Sequence, residues 1–374
     1  MRRYSVFFLA PAAGLLLSAG GITAHAAGQI GTTSVYVSTT GSDSNPCTKA
    51  LPCATLQYAV NGAAAGSIVN VEPGTYHQTV NITKPLTLAG AGAAKTIIDG
   101  SNIDTGAMGY YGVVSVENNT GTGGPIHIHG MTVEGAYVTP TEYADIEVPI
   151  DVSIYQDQNS ADSVTVNNVT LGAVQDTADY GGVGFYAFGN AGKVSFTNST
   201  STGNNQGALL EGGGDNGNGG GVTVSGVHFT KLVDCAGNCS GSSTVYPGDG
   251  IFVLSDLAGN AVNTINHNTF SGYAGFGLAA AAGYSGGNCS SPNGPCSGNV
   301  TLTANDNAFK LGACASASQA CAAISLDAQA GNELSAQIKG NTGSVVRPDM
   351  AIYEQPDGGV YNVTEVNNHI KVLA

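Results

Sequence analysis

The chain is short of charge. Lys and Arg number 11 among 374 residues, charged residues of every kind make up 10%, and Trp is absent. With a formal net charge of −15 and so few cations, no basic stripe exists to follow a phosphate backbone, which excludes nucleic acid as a partner. The same shortage argues against a direct grip on polyanionic sugars unless a cation bridges the two. Long apolar runs are missing too. Beyond residue 26 no stretch is apolar for long enough to cross a bilayer as a helix, so no membrane span is expected. Helical periodicity is scarce as well: ATLQYAV (54–60) is the one convincing short amphipathic helix after the N-terminus.

What the chain has instead is Gly, 55 residues of it, with abundant Ala, Val, Thr, Ser and Asn. Uncharged stretches rich in Val, Ile and Thr, punctuated by Gly and Asn, suit stacked β-structure. At 42% apolar residues this is not a disordered composition. The N-terminus reads as a targeting segment. Arg2 and Arg3 form a basic region, Val6 to Leu17 an apolar one, and Ala24-His25-Ala26 a small-residue cleavage site. Residues 1–26 are therefore expected to be a signal peptide for general secretion, and 27–374 one extracellular β-domain.

Eight cysteines fall into four local pairs: Cys47 with Cys53, Cys235 with Cys239, Cys289 with Cys296, and Cys314 with Cys321. Each pair sits in a Gly/Ser/Asn/Pro-rich loop. In an exported chain this pattern predicts four disulfides that staple loops. A zinc site is the rival reading, but the spacings vary and no His stands near any pair.

A loose internal repeat organises the rest. One set of segments reads IHIHGMTV (126–133), VTVNNVTL (164–171), VSFTNSTS (194–201), VTVSGVHF (222–229), NTINHNTF (263–270), VTLTANDNAF (300–309) and LSAQIKGNT (334–342). Between them lies a second set, mostly opened by Gly: GFYAF (184–188), GALLEG (207–212), GIFVLSD (250–256), GFGLAA (275–280), AAISLDA (322–328) and MAIYEQ (350–355). The sets alternate strictly, with first-set starts about 28 to 41 residues apart, too short for a βαβ unit with a real helix. The spacing predicts an all-β solenoid, one coil per period, with the 54–60 helix covering its N-terminal end. Aligned on their first residue, the Gly-opened segments place five pairs inside: Phe185 and Ala187, Ala208 and Leu210, Ile251 and Val253, Phe276 and Leu278, Ala323 and Ser325. Recurrent Asn near the corners (Asn167, Asn168, Asn198, Asn266, Asn268, Asn305, Asn307, Asn341) suits left-handed backbone or side-chain ladders between coils.

The N-terminal region resembles a known family. Val37 to Cys47 reads V-x-x-x-G-x-D-x-N-x-C, the short helix follows, then Ile68 to Tyr76 reads I-x-x-V-x-x-G-x-Y and Leu86 to Gly90 reads L-x-L-x-G. This opening is similar to that of pectin-lyase-like proteins, which implies a single-stranded right-handed parallel β-helix. It implies function only loosely, because that group holds lyases, hydrolases, epimerases and adhesins. In such enzymes the substrate usually lies on the outer face of one sheet between loop walls, and here the cysteine-bearing loops flank the Gly-opened set. Tyr186, Phe188 and Phe252 point outward there by parity and are the candidate substrate-binding residues, able to stack on sugar rings. The competing reading is that the flanking loops fold over this strip and bury it.

Glycoside hydrolysis needs two carboxyl groups. Glu211 and Asp256 fall on one face of adjacent coils, their backbones about 8 Å apart by coil spacing and strand rise. That suits an inverting pair, whose carboxyl groups stand about 6.5–9.5 Å apart. Asp249, just before Gly250, is a third candidate, and solvated strand ends are the plain alternative for all three. The resemblance implies Lys or Arg as the base and calcium as the cation of a lyase. No Gly-opened strand carries either basic residue, Arg347 stands apart from the acidic candidates, and the signatures of polygalacturonases are absent. His127 and His129 project from one strand face and with a third ligand could hold a metal, although an ordinary exposed face accounts for them equally. The expectation is thus a secreted monomer acting on or binding an extracellular glycan, a hydrolase before a lyase, with no cofactor required outright. A non-catalytic surface or adhesion β-helix is the alternative.

Overall fold

The computed structural model describes residues 33–101, 103, 112–116, 124–135, 148–153, 163–172, 182–188, 193–212, 221–232, 248–255, 260–283, 298–312, 322–346 and 350–373. Residues 1–26, expected from the sequence to be a signal peptide, lie outside these residues, as do Asp256 and Arg347.

The protein is a right-handed parallel β-helix. Its strands form three long parallel sheets: eleven strands from Ser34–Val37 to Val360–Val366, nine from Val80–Ile82 to Met350–Gln355, and ten from Gly74–Tyr76 to His369–Leu373. Each strand pairs in register with its counterparts one coil away, as in Val164↔Val194 and Val194↔Val222. Alternation explains the packing. In Ser163–Asn167 the valines at 164 and 166 are buried and the residues between them face outward.

Each segment of the first set is two strands, not one. Ser163–Asn167 belongs to the first sheet and Thr170–Gly172 to the third, and the chain turns between them at Asn168, whose φ is 52°. Asn198 turns the next coil at 48° and His267 a later one at 58°, so His267 is a corner residue. The turn takes so few residues that the apolar pattern continues across it, which is why the sequence reads as one segment.

Inside that corner runs a ladder of amides. Asn268, Asn307 and Asn341 are almost wholly buried, and each Oδ1 accepts the backbone N–H of the equivalent residue one coil earlier: Val227 to Asn268 at 2.9 Å, Asn268 to Asn307 at 3.0 Å, Asn307 to Asn341 at 3.0 Å. Further round the coil, the rings of Phe229, Phe270 and Phe309 stack at 5.1 and 4.9 Å. Every amide pairs with a neighbour, so the buried polar column costs little.

The helix Leu56–Gly62 forms where its sequence predicts and buries Leu56, Ala59 and Val60 over the N-terminal coil. Thr55 caps it by accepting the Tyr58 N–H, while Asp43 accepts the N–H groups of Ala54 and Thr55. Of the four expected disulfides, the one between Cys47 and Cys53 is formed beside this cap. The other three pairings fall on Cys235 and Cys239, on Cys289 and Cys296, and on Cys314 and Cys321. All six of these cysteines lie outside the described residues.

Candidate functional site

The Gly-opened strands build the second sheet. Phe185 and Ala187, Ala208 and Leu210, and Ile251 and Val253 join the core, as their parity predicts. Two coils depart from the sequence alignment. Leu278 pairs with Ile251 and Ile324 with Leu278, so the repeat glycine is Gly277 rather than Gly275, and Ala323 takes its place one coil on. Phe276 consequently packs in the outer cluster, Ile324 and Leu326 take the core register, Ala323 is buried in the core as expected, and Ser325 pairs with Ala279 of the outer cluster. The physical reason lies across the coil: a Cβ on Gly277 would collide with the Phe309 ring, a long-range contact that a glycine count cannot register.

The outer face carries Tyr186, Phe188, Leu209, Glu211, Phe252 and Leu254 in rows one coil apart, as expected. It is not open. Tyr186 and Phe188 are 7% and 8% exposed and Phe252 is 2% exposed, in an apolar cluster separate from the main core. The expected aromatic platform is thus a closed strip. Leu209, Phe252, Leu254, Ala279 and Ala281 would together make a contiguous apolar patch if solvated, which a single soluble chain avoids. Parity tells which way a side chain points, not what packs over it.

Within this layer sits Glu211, 3% exposed, whose Oε2 accepts the Tyr186 hydroxyl at 2.7 Å. The Tyr186 ring in turn lies 6.0 Å from that of Phe188. The two residues come from adjacent coils, Glu211 pairing in register with Phe188. Glu211 also pairs with Leu254, two residues before Asp256 in the sequence, and the expected partner carboxylate itself lies outside the described residues.

Asp249 is a different kind of group. It is fully buried, its Oδ1 accepts the Phe276 N–H at 2.6 Å, and its Oδ2 has no hydrogen-bond partner among the described residues. Burial pushes its carboxyl well above the usual aspartate range, the Phe276 N–H opposing in part. Its strand runs beside that of Glu211, but Asp249 precedes by five residues the Leu254 that Glu211 faces. At about 3.3 Å per residue that is roughly 16 Å, beyond the reach of an inverting pair. Asp249 therefore does not partner Glu211. Because its folded-state pKa is raised, the unfolded chain ionises first as pH rises, and stability is lost from about pH 4, the ordinary aspartate value, up to the raised folded pKa. Asp249→Asn keeps the acceptor for Phe276 and removes that titration. Its melting temperature should exceed that of the parent at pH 8, with the difference shrinking toward zero below about pH 4. Parallel melting curves at all pH values would show that Asp249 does not titrate on unfolding.

On a second surface the sequence singled out only His127 and His129 as candidate ligands. The outer face of the first sheet carries Thr87, His127, Thr165, Ser195, Thr223, Thr264 and Thr303 in one row across seven coils. A parallel row holds His129, Asn167, Thr197, Ser225, Asn266 and Asn305. The same two-residue alternation that marks the core also marks this array, had its polar half been aligned. Thr87, His127, Ile128, His129, Thr165 and Asn167 line an open groove of about 510 Å³. Burial pulls the His129 imidazole below the usual histidine pKa, and its neighbour His127 adds to the effect. Among the described residues no three His, Cys, Asp or Glu side chains converge to hold a metal ion.

No family model matches the chain. The uncharacterised protein YwoF of Bacillus subtilis (strain 168) is 27% identical over 153 residues, which is 39% of this chain and 30% of that protein. The match therefore spans under a third of that relative's length. Among solved structures, pectin methylesterase from carrot matches at 11% identity over 91% of this chain and 88% of its own, with a TM-score of 0.40. Alginate lyase from Paenibacillus sp. str. FPU-7 matches at 15% over 88% and 100%, with a TM-score of 0.39. The GH136 lacto-N-biosidase of Eubacterium ramulus matches at 11% over 91% and 68%, with a TM-score of 0.35.

Proposed function

We propose that the protein is exported and acts on extracellular polysaccharide, as a glycoside hydrolase of neutral or weakly acidic glycan. Export is supported by the basic, apolar and small-residue succession of residues 1–26 and by the Cys47–Cys53 disulfide, which persists in oxidising compartments. The hydrolase reading is carried by one observation: Glu211 is held by a tyrosine hydroxyl inside an apolar layer on the outer face of the second sheet. A carboxyl group fixed there can pass a proton without competition from bulk water. Asp256 would be the second carboxyl group, one protonating the leaving oxygen and the other activating water on the opposite side of the sugar. Tyr186 fixes one oxygen of Glu211. The strip is closed, so turnover requires it to open to substrate.

Glu211→Gln should lower kcat by at least about a hundredfold, the usual share of general acid–base catalysis, with the circular dichroism spectrum unchanged. Tyr186→Phe should cost less, because it removes only a positioning hydrogen bond. Reducing-end release from a panel of neutral glycans measures both. Equal turnover by Glu211→Gln would sink the hydrolase reading.

The closed strip favours a second reading, in which the protein binds glycan without cleaving it. The uncharged hydroxyl and amide rows of the first sheet then make the contact, replacing water on sugar hydroxyls. In that case Thr165→Val and Asn167→Leu weaken glycan binding while Glu211→Gln leaves it unchanged.

A further inference from the structure

We propose that His127 and His129 form the protein half of a transition-metal site on the open face of the first sheet, taking a borderline divalent ion such as Cu²⁺ or Zn²⁺. Both imidazoles stand on the strand Pro125–His129, two residues apart, so their backbones are separated by about 6.6 Å. Side chains that far apart on one strand face can converge on an ion at about 2.0–2.1 Å from each nitrogen. Both line the same open groove, and neither ring forms a hydrogen bond among the described residues. Imidazole is the ligand type that selects Zn²⁺ and Cu²⁺ over Ca²⁺ or Mg²⁺.

The neighbouring coil supplies what the sequence alone did not identify. Thr165 pairs in register with His127 and Asn167 with His129. Asn167 commits its Nδ2 to Thr197 Oγ1, one coil further on, at 3.0 Å, which leaves its Oδ1 as an uncommitted oxygen beside His129. Two imidazoles, that amide oxygen and water complete a four-coordinate set. The two rows that carry the pair hold no Lys, Arg, Asp or Glu from Thr87 to Thr303 or from His129 to Asn305. The site is distinct from the Glu211 strip and does not rest on the hydrolase reading.

The test is calorimetric titration of the full secreted chain with Cu²⁺, and separately Zn²⁺, in a non-coordinating buffer. One equivalent should bind. His127→Ala and His129→Ala should each weaken that binding by on the order of a hundredfold, at least what loss of an outer-shell partner costs. His228→Ala, on the third sheet, should leave it unchanged. The electron paramagnetic resonance spectrum of the Cu²⁺ complex should show coupling to two imidazole nitrogens, and the melting temperatures of the metal-free variants should match the parent. Absence of stoichiometric binding, binding that survives both His→Ala substitutions, or equal loss on His228→Ala overturns the proposal.

Discussion

Asn307→Ala should cost the fold about 3–6 kcal/mol, close to the whole stability of many domains. The Asn307 amide is fully buried and works in both directions along the solenoid. Its Oδ1 accepts the Asn268 backbone N–H at 3.0 Å and the Asn268 Nδ2 at 3.1 Å, and its Nδ2 donates to Ile265 O at 2.8 Å and, one coil on, to Asn341 Oδ1 at 3.0 Å. Truncation strands two donors and weakens one acceptor, each worth about 1–3 kcal/mol when buried without a partner. The Asn341 Oδ1 is less affected, because the Asn307 backbone N–H still reaches it at 3.0 Å. A corner asparagine provides the control. Asn198 turns the chain at a φ of 48°, so Asn198→Ala should cost only the left-handed penalty of about 1–2 kcal/mol. Urea unfolding followed by circular dichroism separates the two. If Asn307→Ala costs no more than Asn198→Ala, the ladder carries no special share of stability.

These two asparagine roles show how far the sequence can be read. The strict alternation of two segment sets carries the solenoid, and the Val/Ile/Phe parity within VTVNNVTL or GIFVLSD carries most of the core. Recurrent Asn at the corners announces turn chemistry, yet nothing local tells Asn168, which bends the backbone, from Asn307, which bonds between coils. That distinction depends on which of two successive corner residues points inward, and the third sheet, with strands as short as Thr200–Thr202, is hidden for the same reason. At the candidate site, parity places Tyr186, Glu211 and Phe252 together on the outer face. It cannot supply the Tyr186–Glu211 hydrogen bond, the closure of the strip or the roughly 16 Å offset of Asp249, because each depends on register or packing between coils.

Gly250→Ala should be a severely damaging single-methyl change, costing about 3 kcal/mol or more, at or above the upper end for overpacking. Gly207, Gly250 and Gly277 open successive strands of the second sheet, and a Cβ on each would run into a phenylalanine of the next coil: Phe229, Phe270 and Phe309 respectively. At Gly250 the methyl would also meet the Gly277 carbonyl oxygen, which is held in the sheet and cannot swing away as a side-chain tip can. Phe270 has no room to yield either, being stacked between Phe229 and Phe309. The chain itself records the rule. One coil after Gly277 the position is Ala323, and Phe309 pairs in register with Gly343, so where the glycine gains a methyl the phenylalanine is lost. A double-mutant cycle follows from that exchange. Phe270→Leu alone should destabilise by leaving a gap in the stack, but combined with Gly250→Ala it should cost less than the two separate losses added together. Melting curves of the four proteins measure the coupling. Simple additivity would mean that the methyl collides with the Gly277 carbonyl alone, and the pairing of glycine with phenylalanine across coils would then be coincidence.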